Sequence, residues 1–237
     1  MEKNNFQAGI YLVPTPIGNL DDITIRAMKL LKAADIIACE DTRTTGQLLK
    51  LLEIDHRRMV SFHEHNETQR SEELVKAAQE GSIVALVSDA GSPGISDPGF
   101  RLINFARQSD VYITALPGAT ALIPALTASG FPTDAFAFLG FPPAKKGRKT
   151  FLESINKFDL TIILYESPHK IVKLIEEIIN HYGTVIEVCI AREISKIYEE
   201  YIHGTADYVL TQLKNKPSIK GEFVVVINMK KYNKGNK

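Results

Sequence analysis

The sequence predicts an α/β protein of two domains, the first built on a parallel sheet and the second on a mixed one. Short apolar, β-branched runs alternate with helix-period patterns through the first half of the 237 residues. That alternation marks βαβ units, in which a helix crosses over to bring the next strand in parallel. In the second half, strands follow one another with only a short turn between Arg192 and Glu199, a spacing that suits antiparallel pairing. Leu116-Pro117-Gly118 separates the two characters, which gives domains at 1–116 and 117–230, a cleft between them, and a basic tail at 231–237.

The first domain reads as strands at 9–13, 36–39, 59–62, 83–87 and 111–115. Between the first two, residues 23–34 place Ile23, Ala27, Leu30, Leu31 and Ala34 on one helical face. A shorter helix at 46–53 follows, then one at 67–80 that stops at Gly81, a residue free to take the positive φ of a helix end. A further helical pattern begins at Phe100. The second domain opens with a helix at 119–129 and continues with strands at 136–140, 160–165, 185–191, 199–203 and 222–228. After Tyr165, Ser167 suits an N-cap and Pro168 the first helical position, while Ile171, Leu174, Ile175, Ile178 and Ile179 form the buried stripe.

An apolar share of 44% and a charged share of 24% are those of a water-soluble globular chain. No run is long and apolar enough to span a bilayer, and Met1-Glu2-Lys3-Asn4-Asn5 does not start a signal peptide, so the expected location is cytoplasmic. Cys39 and Cys189 each sit inside an apolar run and read as core residues; with no Cys/His cluster beside them, no metal site is expected. Twenty-eight basic and 28 acidic residues balance, which argues against indiscriminate nucleic-acid binding. Two local basic patches remain, Lys145-Lys146-Gly147-Arg148-Lys149 and the lysine-rich tail from Lys230 to Lys237. A solvated surface is the plain alternative for both.

The segment from Ser88 to Gly99, Ser-Asp-Ala-Gly-Ser-Pro-Gly-Ile-Ser-Asp-Pro-Gly, joins a buried strand to a helix. Such a loop lies at the carboxyl edge of a parallel sheet, where ligands bind. Its glycines permit close backbone approach, its prolines hold the loop in shape, and Asp89 stands where the strand ends. A tight turn without a ligand is the competing reading. The spacing matches neither a dinucleotide fingerprint nor a Walker A loop, which sets aside a phosphate-binding NTPase. Other polar clusters follow strands: Pro14 to Asp22, Glu40-Asp41-Thr42-Arg43-Thr44-Thr45, Pro117-Gly118-Ala119-Thr120-Ala121, Tyr165-Glu166-Ser167-Pro168-His169 and Ala191-Arg192-Glu193. Asp41 or Thr42 could simply cap the next helix, and His169 reads as a surface residue rather than a base. The free N–H groups of the 117–121 turn suit a carboxylate or phosphate. The shared position of these clusters on one rim is the stronger signal.

Together these strings, with Ser129-Gly130-Phe131-Pro132-Thr133-Asp134, resemble the tetrapyrrole methylase family, whose members transfer methyl groups from S-adenosylmethionine. Thr15-Pro16-Ile17-Gly18-Asn19 and Glu40-Asp41-Thr42-Arg43 look unlike the corrin and porphyrin methylases; they resemble the branch that methylates the ribose 2′-oxygen of a cytidine in bacterial 16S ribosomal RNA of the small subunit. The resemblance implies a cofactor held between the domains, near Pro16, Asp89, Gly94, Ile95, Ala119, Thr120 and Tyr165, with Ala191 a weaker candidate. A ribose hydroxyl is a poor nucleophile, so a base or a cation that stabilises the forming alkoxide would help. Glu40 and Asp41 are the candidates for base or substrate orientation, and Arg43 for phosphate or alkoxide partner. Many relatives continue beyond the last strand, so here Lys145, Lys146, Arg148, Lys149 and the lysine tail are expected to carry the RNA contacts, with strong salt dependence. A homodimer is expected from the family. The alternatives are a methylase of the same fold acting on a tetrapyrrole or a protein side chain, and a cofactor-binding regulator or RNA-binding module without turnover.

Overall fold

The computed structural model describes residues 6–55 and 58–235, and within them the chain forms two compact units, Met1–Thr120 and Ala121–Lys237. In the first unit, β1 (Gly9–Leu12), β2 (Ile36–Cys39), β3 (Met59–Ser61), β4 (Ile83–Val87) and β5 (Ile113–Ala115) lie in the order β3-β2-β4-β1-β5, every neighbouring pair parallel. Crossover helices α1 (Ile25–Ala33) and α2 (Thr42–Leu51) carry the chain toward one edge; α3 (Glu67–Gln79) and α4 (Phe100–Gln108) carry it back. Right-handed crossovers running in opposite directions must cover opposite faces, and the core divides accordingly. Ile10, Leu12, Ala38 and Leu86 pack with Leu74, Val75, Leu102 and Ala106. Tyr11, Ile37, Cys39, Ala85 and Val87 pack with Ala27, Leu30, Leu31 and Leu49. Successive strand residues thus bury alternately against the two helix layers.

In the second unit, β6 (Phe136–Phe138), β7 (Thr161–Glu166), β8 (Glu187–Arg192), β9 (Glu200–Thr205) and β10 (Phe223–Asn228) form a sheet ordered β6-β7-β10-β8-β9. Only β6 and β7 pair in parallel; the other neighbours are antiparallel. One face is covered by α6 (Arg148–Ile155), α7 (Ile171–Tyr182) and α8 (Ala206–Lys214), whose Leu152, Ile155, Leu174, Ile178, Val209 and Leu213 join Ile162, Val188, Ile190 and Val225 in one core. The short helix α5 (Leu122–Ala128) lies against β10 and α9 (Met229–Gly235) closes the unit.

The predicted fold class stands: a parallel sheet, then a mixed one. Three helical boundaries differ for local reasons. Helix α2 begins at Thr42 rather than at Gly46, because the Asp41 carboxylate accepts the Arg43 N–H and stops the open turn there. Helix α5 starts at Leu122, so residues 119–121 are not helical. Helix α7 starts at Ile171 rather than at Pro168; the Ser167 carbonyl accepts N–H bonds from both Lys170 and Ile171, closing a turn before the helix. The predicted stripe is retained, with Ile171, Leu174, Ile175 and Ile178 fully buried. Helices α6, α8 and α9 were not foreseen. The tail expected at 231–237 begins as part of α9, and residues 236–237 lie outside the described residues.

Candidate active site

Strands β4 and β1 are neighbours, yet the connection after β1 runs toward β2 and the one after β4 toward β5. The loops at their carboxyl ends therefore diverge, the place where open parallel sheets bind ligands. Here the loops are tied to each other. Thr15 and Gly91 exchange both backbone N–H bonds, at 2.9 and 3.0 Å. The buried Thr15 hydroxyl donates to the Ser88 carbonyl at 3.0 Å, and Ser88 Oγ donates to the Gly91 carbonyl at 3.1 Å. Ser92 Oγ reaches the Ala119 carbonyl after β5 at 3.0 Å. Gly118 is pressed on Pro14; a Cβ there would meet the Pro14 Cβ at 2.6 Å, so the approach of these two segments requires glycine.

The far end of the Ser88–Gly99 loop is fixed by a residue from α3. Gly99 has φ of 145° and no side chain with which to cap α4. Glu67, only 8% exposed, does so instead: its Oε1 accepts the Gly99 and Arg101 N–H groups at 3.0 and 3.1 Å. The loop is held at both ends while Asp89 and Ile95 between them stay exposed.

Four carboxylates gather on this rim. Asp89 Oδ1 accepts the Asp41 N–H at 3.2 Å, which links the ends of β4 and β2. Asp97 is pushed up to about 6, first by its burial and then by the charges of Glu40 and Asp89, against a hydrogen bond from Ser88. Burial also raises Glu40, helped by Asp89, while His63 after β3 pulls it down. Asp41 behaves oppositely. Side-chain and backbone hydrogen bonds from Arg43 hold it down to about 2, with Arg43 Nη2 at 2.7 Å and Nε at 3.1 Å. Asp41 and Arg43 thus form a closed, solvent-exposed pair at a helix start, and Glu40 is the member of the predicted trio left with an elevated proton affinity.

Asp97 lies within the predicted binding loop, but the sequence alone marks neither it nor His63 as part of this group. Only the fold brings Asp97 near Glu40, since no sequence spacing relates the ends of β2 and β4. His63 Nδ1 is shielded from solvent and has no hydrogen-bond partner among the described residues.

The remaining predicted residues are placed as follows. Pro16, Gly94, Ala119 and Thr120 are partly exposed on the tied loops of the first unit. In the second unit Tyr165, one residue from the end of β7, lies edge-on to Phe138 and Phe141, with ring centroids at 4.8 and 5.5 Å. Ala191 is fully buried inside β8, paired with Val224 and Tyr201, so it offers backbone and no exposed side chain. Lys145, Lys146 and Lys149 are exposed. Arg148 is not. It is 5% exposed and bonds Glu177, Glu166 and the Pro143 carbonyl, so burial removes it from the outward-facing cations. In the tail, Lys230 is paired with Asp134 and Lys231 with Glu187.

Residues 9–209 match the family model for tetrapyrrole (corrin/porphyrin) methylases. The chain belongs to the tetrapyrrole methylase family. Among the relatives of this tetrapyrrole methylase is the ribosomal RNA small subunit methyltransferase I of Hydrogenobaculum sp. (strain Y04AAS1), 46% identical over 92% of this chain and 95% of that protein. The protein of the same name from Escherichia coli O157:H7 is 44% identical over 94% of this chain and 79% of its own length. Among solved structures, a diphthine synthase superposes with a TM-score of 0.69 at 13% identity, covering 92% of this chain and 89% of that one. Uroporphyrin-III C-methyltransferase from Thermus thermophilus, complexed with S-adenosyl homocysteine, gives 0.59 at 16% identity, covering 93% and 98%. At such identities the solved structures speak for the shared fold of the tetrapyrrole methylases.

Proposed function

We propose that the protein is an S-adenosylmethionine-dependent methyltransferase that modifies the ribose 2′-hydroxyl of a cytidine in 16S ribosomal RNA of the small subunit. The observation that carries this reading is the 46% identity, over nearly the whole of both chains, to a ribosomal RNA small subunit methyltransferase I. The rim of the first unit suits the chemistry. Its tied loops present backbone groups and carboxylates, a donor set that fits the ribose hydroxyls and cationic groups of S-adenosylmethionine. Pro16, Asp89, Gly94, Ile95, Ala119 and Thr120 are the proposed binding residues there, and Tyr165 and the Ala191 backbone are further proposed cofactor contacts.

When bound, S-adenosylmethionine supplies an activated methyl group on a good leaving group. The protein's tasks are then to orient the ribose and to accept the hydroxyl proton as the new oxygen–carbon bond forms. Glu40 is the proposed acceptor, because its environment favours the protonated carboxyl that this step produces. Asp41 is a poor acceptor, being held as a carboxylate by Arg43; the pair is proposed to position the substrate backbone. Exposed Lys145, Lys146 and Lys149 are proposed to meet RNA phosphates.

The test is transfer of labelled methyl from S-adenosylmethionine to small ribosomal subunits that lack native modification, followed by ribose-sensitive mapping. A single 2′-O-methylcytidine is the expected product. Transfer to a tetrapyrrole or a protein side chain instead, or cofactor binding with no transfer to RNA, would refute the reading.

A further inference from the structure

The loop from Gly140 to Gly147 joins β6 to α6, and positive φ at its two ends, 66° and 82°, turns the chain out and back. Its first residue is fixed to the sheet, since the Gly140 carbonyl accepts the Tyr165 N–H at 3.0 Å. Pro142 is buried, whereas Phe141 beside it is 56% exposed. The Phe141 ring meets Tyr165 at 66°, an edge-to-face contact that supports the ring without covering it.

The same loop is fastened from beneath by a buried charge cluster. Arg148 Nη1 donates to the Pro143 carbonyl at 3.2 Å, Nη2 to Glu166 Oε2 at 3.1 Å, and Nε to Glu177 Oε2 at 2.7 Å. Glu166 completes the tie by accepting the Ser167 N–H through its other oxygen at 2.8 Å. Arg148 and Glu166 side chains are 6% and 3% exposed. Burying a charged pair so deeply is costly unless its geometry is closely satisfied, and here it holds one loop rigidly against the end of β7.

A single exposed ring is ordinary on a protein surface, so the neighbours decide its meaning. Phe100 and Tyr198 are more exposed, at 74% and 72%. Each stands next in sequence, or nearly so, to a cation already engaged: Arg101 by Glu67 and Thr68, Lys196 by Glu193 and Glu222. Phe141 differs. Lys145 and Lys146 on its own loop have no ion-pair partner among the described residues, and Lys149 reaches only the exposed Glu153, at 3.8 Å. A supported aromatic ring on the same loop as unneutralised cations is chemistry that suits an unpaired nucleotide, whose base stacks while its phosphate is neutralised.

We propose that Phe141 is a stacking platform for an unpaired base of the RNA substrate, seated by the buried Arg148–Glu166–Glu177 cluster and flanked by the phosphate-binding Lys145 and Lys146. The proposal rests on the reading of this protein as a ribosomal RNA methyltransferase. It also gives Arg148 a positioning role in place of direct RNA contact.

The test compares the full-length protein with Phe141→Ala and Phe141→Trp, both at an exposed position where folding is retained. The probe is a short single-stranded oligoribonucleotide containing 2-aminopurine, whose fluorescence is quenched by stacking. Phe141→Ala is expected to weaken oligonucleotide binding about tenfold and abolish the quenching, and Phe141→Trp to restore both. With unmodified small subunits, Phe141→Ala should raise the KM for the subunit about tenfold. Unchanged affinity and quenching in Phe141→Ala, or no oligonucleotide binding by the unaltered protein, would overturn the platform. So would a switch of Phe141→Ala from dimer to monomer with RNA affinity intact, which would assign the ring to a second copy of the chain. Phe141-dependent stacking in a protein that methylates no ribosomal RNA would support the platform while refuting the reaction.

Discussion

The two units handle clustered acidity in opposite ways. In the second, Glu166 and Glu177 share the guanidinium of Arg148, so each carboxylate of the cluster is met by a cation. In the first, the Asp89 charge raises the proton affinity of both Glu40 and Asp97, and the principal cation of the rim, Arg43, is committed to Asp41. Neutralised carboxylates hold a fold in place. Carboxylates that repel each other subtract from stability, and such arrangements recur where proton chemistry or a cationic ligand is served. The contrast separates a structural ion cluster from a candidate reactive one without reference to sequence motifs.

Replacing Arg148 should break the comparison most severely. Arg148→Ala leaves the Glu166 charge buried without a partner, and a loss of about 3–5 kcal/mol in unfolding free energy is expected by chemical denaturation. A loss no greater than that of an exposed substitution would mean that the cluster is not structural. Next comes Glu40→Gln. If Glu40 accepts the hydroxyl proton, kcat should fall about 100-fold or more with cofactor affinity retained. Full turnover by the amide would remove Glu40 as the base.

Asp97 tests the other side of the contrast, through pH. Its unfolded pKa is near 3.9, whereas in the fold it lies at about 6. Between those values the folded state holds the proton more tightly than the unfolded chain does. Stability therefore falls as pH rises through this window and stays lower above it. Asp97→Asn should remove that fall and stabilise the protein by roughly 1 kcal/mol at neutral pH, after allowance for solvent screening. A pH-stability profile identical to that of the unaltered protein would contradict the placement of Asp97. The smallest effect is expected at Lys149, whose pairing with Glu153 is exposed on both sides. Lys149→Ala should change stability by less than about 0.5 kcal/mol while lowering the salt dependence of RNA binding by about one unit of slope.

The sequence was legible where one physical signal dominated. The continuous apolar runs at Ile36–Cys39 and Ile83–Val87 mark strands buried on both faces, and their observed limits coincide with the predicted ones. Helix α7 was found through its isoleucine stripe, but its start was misplaced because a Ser-Pro pair serves a turn as readily as a cap. Helix α6 was hidden by its composition: Arg-Lys-Thr opens it, and the local pattern gives no hint that the arginine points inward. The same limit applied to the site. Glu40, Asp41, Arg43 and Asp89 were visible as residues after strands, while the pairing of Asp41 with Arg43 and the approach of Asp97 to Glu40 arise from folding.

The capping of α4 by Glu67 gives the Ser88–Gly99 loop a built-in reporter. The Gly99 and Arg101 amides stay closed to solvent exchange only while the loop is seated on α3. Their hydrogen–deuterium exchange rates therefore time the opening of the loop without any label or substitution. A molecule that steadies Asp89 or Asp97 should slow those two amides ahead of others in the unit, so ligand engagement can be followed at positions that do not touch the ligand.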